Sequence, residues 1–136
     1  MSRNPLFVAF AIVGSTVLTH PARLVGQDTL SAPYRVRAIS GDPHQTGHFI
    51  VRVTFPVGSH TDPHHHSVDL TERIVRGRLL MGSSVRFDTT RVVAFDSGST
   101  TMVRAGQVHY DWWPDGGELE MEGDGPMQST MVDSLR

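Results

Sequence analysis

An all-β domain is predicted by three observations. From Tyr34 onward the chain is a series of short apolar runs closed by Gly, Pro or polar turns. One of these runs alternates strictly. No stretch carries a sustained helical stripe. In chain order, Phe49, Val51, Val53 and Phe55 alternate with Ile50, Arg52 and Thr54, the period of a strand with one buried face. Ile74-Val75, Leu79-Leu80-Met81, Val85-Arg86-Phe87 and Val92-Val93-Ala94-Phe95 read as further short strands. Leu119 and Met121 alternate with Glu118, Glu120 and Glu122, which turns three carboxylates toward solvent on one strand face. Many short strands at even spacing imply a sandwich or small barrel.

Composition narrows the function. A chain of 136 residues holds one core. It has no cysteine, so disulfides, thiolate nucleophiles, iron–sulfur clusters and zinc fingers are excluded. All 12 basic residues are Arg, which excludes Schiff-base chemistry and a phosphate-binding loop lysine. A net charge of −2 without a basic run offers a nucleic acid no grip. Arg3 precedes an apolar run of about a dozen residues between Leu6 and Leu18, short for a membrane span of about 20 residues. Residues 1–26 therefore read as a secretory signal peptide, 27–33 as a flexible leader and 34–136 as the domain, with export to the periplasm or medium expected and no membrane span in the mature form. A buried first strand or an uncleaved anchor is the alternative reading of the apolar run.

The 8 histidines are the informative residues. His64 and His66 stand two apart, so in a strand both rings leave the same face while His65 points the other way. A single metal can take both, with His109 as the candidate third ligand. Imidazoles suit transition metals better than Mg or Ca. A solvated turn with three histidines is the plain alternative. Asp111 shares the parity of His109 and either supports that ligand or faces solvent. Trp112 and Trp113 read as core or pocket wall. His44 and His60 lie in turns, and His48 opens a strand that could line a barrel mouth. Arg52, Arg76 and Arg104 are candidates to hold an anionic substrate, or plain surface residues.

Gly58, five residues, His64-x-His66, and then Gly77 resemble the first motif of the cupin superfamily. Gly98, five residues, Arg104-Ala105-Gly106, two residues and His109 resemble its second. Glu122-Gly123-Asp124-Gly125-Pro126 is similar to the closing segment of small single-domain bacterial cupins. The resemblance covers Gly47 to Gly123. It implies a single-domain jelly-roll β-barrel with one metal held by His64, His66, His109 and a carboxylate. The family glutamate falls at Leu70 or Thr71 here. Asp69 and Glu72 flank that gap and are the candidates for a fourth ligand. Glu72 shares the parity of the histidines but sits about 7 Å beyond position 70. The expected arrangement is a three-histidine site with Leu70 lining the cavity beside the metal. Arg104 and Trp113 also replace the proline and asparagine of the second motif.

The resemblance implies one divalent transition metal (Fe, Zn, Mn or Ni) and a small anionic, chelating substrate. The chemistry expected is dioxygenase-like with iron, or Lewis-acid isomerase or lyase chemistry with the other metals. A non-catalytic binding barrel is the alternative. Cupins pair through their sheets, which implies a homodimer.

Overall fold

The computed structural model describes residues 34–132. The signal-peptide and leader assignments fall on residues 1–33, outside those described. Every regular element among the described residues is a strand. In order they are β1 (Arg35–Ser40), β2 (Gly47–Phe55), β3 (Ser59–His60), β4 (His64–His66), β5 (Leu70–Gly82), β6 (Val93–Asp96), β7 (Thr100–Val103), β8 (Tyr110–Trp113), β9 (Gly117–Gly125) and β10 (Ser129–Met131).

The predicted alternation in β2 is observed. Phe49, Val51, Val53 and Phe55 are buried, and Ile50, Arg52 and Thr54 are half-exposed between them. β2 pairs antiparallel with β1 on one side and β9 on the other. In β9, Leu119 is buried, while Glu120 meets Arg52 at 2.6 Å and Glu118 lies 3.6 Å from Arg76. The carboxylate face of β9 is thus laced to arginines of the neighbouring strands β2 and β5.

β5 joins two halves of the sheet. Its first half lies between β7 and β9, from Leu70↔Val103 and Thr71↔Glu122 onward. Its second half pairs with β6 and β8, through Arg78↔Asp96 and Leu80↔Trp112. The change of partners falls at Gly77, with a register shift just before it between Ile74 and Arg76. Gly77 has φ 84°, and a Cβ there would collide with the carbonyl oxygen of Gly116. Only glycine turns this corner without strain.

Two apolar clusters fill the interior. Val53 and Phe55 of β2, Ile74 and Leu79 of β5 and Leu119 of β9 pack on Trp113 of β8. The Phe55 and Trp113 rings stack at 4.8 Å. Phe49, Val51, Leu70, Val103 and Met127 form the second cluster. Each such side chain contributes roughly 1.5–3 kcal/mol on burial, which holds the strands carrying the histidines in register.

One predicted strand is absent. Val85-Arg86-Phe87 runs as bends and irregular chain between β5 and β6, with Val85 exposed. Ser84 Oγ accepts from the Arg86 amide at 3.0 Å and donates to the Arg86 carbonyl at 2.6 Å. Those local bonds occupy the groups a ladder would need. Phe87 packs instead on His60 and Tyr110, at 4.4 and 5.0 Å between ring centres.

Candidate metal centre

β4 is only three residues long, and its pleat decides which histidines meet. His64 and His66 are buried on one face, and His65 is half-exposed on the other. β10 pairs along one edge, placing Ser129 opposite His66 and Met131 opposite His64. Along the other edge His64 and His109 exchange both backbone hydrogen bonds at 2.9 Å. That single bridge carries His109, distant in sequence, to the pair on β4.

 The three imidazole rings lie 4.3 to 5.2 Å apart between centres, and their metal-binding nitrogens all fall within 4.8 Å of one another.

The outer nitrogens are already engaged. His64 Nδ1 donates to the Asp62 carbonyl at 2.8 Å, and His109 Nδ1 to the Gln107 carbonyl at 3.2 Å. A carbonyl can only accept, so in both rings the proton sits on Nδ1 and the lone pair on Nε2. His66 Nδ1 lies 2.9 Å from Ser129 Oγ, which can accept the same bond. His109 Nε2 is buried with no hydrogen-bond partner in the protein. A buried acceptor left unmatched costs free energy, and a metal satisfies it. The donor set fits a divalent transition metal: neutral imidazoles, oriented through their outer nitrogens.

Burial keeps the rings neutral. It pushes His66 down to about 3, helped by the nearby His64 and His109. His64 is lowered by burial and then by His109, and His109 by burial.

A cavity of about 130 Å³ adjoins the cluster, bordered by His64 and His66. Glu72 and Asp111 also line it, both almost wholly buried. Neither oxygen of Glu72 has a hydrogen-bond partner, nor does Asp111 Oδ1. Burial, then the charge of Asp111, raises Glu72 well above the carboxylate range. Burial raises Asp111 to about 6 against the opposing pull of His64. Asp111 therefore faces the cavity, not solvent.

The two candidates for a fourth ligand separate. Asp69 is exposed, accepts from the Ala105 amide at 2.8 Å and lies 3.3 Å from Arg104, so it braces the turn before His109 from outside. Its ionised form is favoured by the Ala105 bond. Glu72 points into the cavity on the parity of the predicted strand, but is not part of the histidine cluster. Leu70 departs from expectation. It packs with Phe49, Val51, Val103 and Met127 and does not line the cavity, because its place on β5 faces the second apolar cluster.

The other candidates sit away from the site. Arg52 and Arg76 pair with Glu120 and Glu118, and Arg104 with Asp69. His44 is exposed, and the exposed His48 pairs with Asp124 at 3.2 Å. His60 is half-buried in β3 against Phe87, not in an open turn. Trp113 is core, and Trp112 is half-buried. The sequence pattern does not single out Ser129 or Met131. Both reach the site by the β4–β10 pairing, and a lone Ser in a C-terminal segment carries no local signal of that.

No protein-family model matches the chain, and no curated protein matches it by sequence. Solved structures do match. A cupin-like protein from Thermotoga maritima is 15% identical with a TM-score of 0.61, covering 79% of this chain and 83% of its own. An RmlC-like cupin from Shewanella frigidimarina is 16% identical with a TM-score of 0.56, covering 67% and 75%. A candidate acetylacetone dioxygenase from Methylibium petroleiphilum is 14% identical with a TM-score of 0.62, covering 99% and 89%. With the all-β topology and the histidine cluster in place, these likenesses establish that the chain has the cupin fold.

Proposed function

We propose that this chain is a small metal-dependent enzyme that holds one divalent transition metal through His64, His66 and His109 and acts on a small chelating molecule. The observation that carries this reading is the orientation of the rings. Two carbonyls and a hydroxyl engage the three Nδ1 atoms, and the remaining nitrogens converge beside a cavity. A bound Fe, Zn, Mn or Ni ion would supply Lewis acidity there, and iron would add redox chemistry with oxygen.

The chain's own residues do the rest. Asp62, Gln107 and Ser129 hold the ring orientations. The apolar wall formed by β2 and β9 limits water beside the ligand. Glu72 Oε1 and Oε2 have no partner in the protein, so either can receive or return a proton from a ligand in the cavity. Dioxygenase-like oxidation is favoured by the name of the Methylibium neighbour, and isomerase or lyase chemistry follows with a redox-inert metal. Leu70 in place of the family carboxylate favours the second reading, a non-catalytic binding barrel. Export and pairing as a homodimer complete the proposal.

The test is metal analysis of protein purified from its own host, followed by oxygen-uptake and substrate-loss measurements on the metal-loaded form. One metal per chain, lost on His109→Ala, with turnover of a chelating substrate supports the enzyme. Absence of bound metal after loading refutes it, and metal without turnover across chelating substrates leaves the binding barrel.

A further inference from the structure

The cavity next to the histidines is unequally built. Val36, Val51, Val53, Phe55, Leu119 and Met121 supply an apolar wall from β1, β2 and β9. The polar lining is made by Thr61, His64, His66, Glu72, Asp111 and Ser129. No arginine lines the cavity among the described residues. Arg52, the half-buried arginine of β2, is drawn to Glu120.

The charge balance follows from those side chains. As carboxylates, Glu72 and Asp111 offset the two positive charges of a divalent metal held by three neutral imidazoles. As carboxylic acids they are hydrogen-bond donors, and still not cations. In neither state does the protein itself offer positive charge to an entering anion, and an unpaired charge is costly to bury against an apolar wall. Size sets the second limit. A cavity of about 130 Å³ is close to the ~150 Å³ of an apolar cavity that takes up benzene.

We infer that the cavity selects an uncharged, mostly apolar molecule about the size of one six-membered ring, with an oxygen-bearing polar end directed at Thr61, Glu72 and Asp111. This rests on the metal-dependent reading for what happens next to the ligand, but the selectivity belongs to the cavity walls. It narrows the substrate from the anionic chelators the sequence suggests to molecules that arrive neutral. Any oxyanion that chelates must then form after entry.

The test uses benzyl alcohol, benzoate and glycerol as probes of one body with two charges and one polar neutral. Binding to the full chain is followed by ligand-observed NMR and calorimetry, both metal-free and zinc-loaded. Benzyl alcohol is expected to bind at least about tenfold more tightly than benzoate to the metal-free chain, with glycerol not binding. Val53→Trp, which fills the wall, should abolish benzyl alcohol binding. Should that variant fail to fold, Met121→Arg serves instead, since a cation in the half-buried wall should move the preference toward benzoate. Equal or tighter benzoate binding to the metal-free chain overturns the inference, as does benzyl alcohol binding that survives a folded Val53→Trp. A chain that takes no zinc yet keeps the neutral preference refutes the enzyme proposal and leaves this inference standing. Zinc binding by a chain whose metal-free form prefers benzoate does the reverse.

Discussion

Ser129→Ala tests how the metal centre is held. The substitution removes one oxygen, 2.9 Å from His66 Nδ1, and leaves the backbone pairing of Ser129 with His66 intact. His66 is buried, so its Nδ1–H loses a fixed acceptor, at a cost of ~1–3 kcal/mol. That corresponds to the ~10–100-fold loss of metal affinity typical when the partner of a ligating histidine is removed. Ser129 itself is exposed, so water can reach the vacated place and recover part of the bond. The lower end of the range, about tenfold, is therefore expected. The assay is zinc competition against a chromophoric chelator for the native chain, Ser129→Ala and Ser129→Thr. The threonine restores the hydroxyl and should return affinity to within about threefold of native, while denaturant melts of the metal-free forms stay nearly superimposed. An affinity for Ser129→Ala within twofold of native would refute the reasoning, because His66 would then need no support from β10.

Replacing His64, His66 or His109 with Ala should each abolish stoichiometric zinc binding by equilibrium dialysis, whereas His65→Ala should retain it, since that ring leaves the other face of β4. Asp69→Ala should keep zinc and lower the melting temperature slightly, because it frees the Ala105 amide without touching the cavity. Buried His66 should cost the metal-free fold stability as pH falls below 6.5: the unfolded ring then takes up a proton that the folded ring, lowered to about 3, refuses, so this residue's contribution to the slope of stability with pH is positive. Denaturant melts of the native chain and His66→Gln from about pH 7.5 to 5.5 would show it as a native stability that falls faster than the variant's, and parallel profiles would contradict it. Glu72 acts in the opposite sense. Its raised pKa means that stability is lost as pH rises through the folded value, so Glu72→Gln should raise the melting temperature of the metal-free protein at pH 8, with the gain fading toward pH 4.5.

The sequence by itself determined the all-β class, the β2 alternation and the common face of His64 and His66, because each is set by a repeat of two residues along one strand. The glycine and histidine spacings of the two motifs also pointed to His109. Local pattern could not tell what lies across a strand. Only the tertiary structure decided that His109 bridges to His64, that Ser129 stands behind His66 and that Asp69 braces a turn outside the cavity. Parity put Leu70 and Glu72 on the same side of β5, yet one joins the apolar cluster and the other lines the cavity. The same limit explains Val85-Arg86-Phe87, apolar enough for a strand but held by Ser84 in bends. The physical reason is common to all of these: side-chain direction is a property of a few consecutive dihedrals, whereas partners depend on the register of strands distant in the chain, fixed only when the whole core packs.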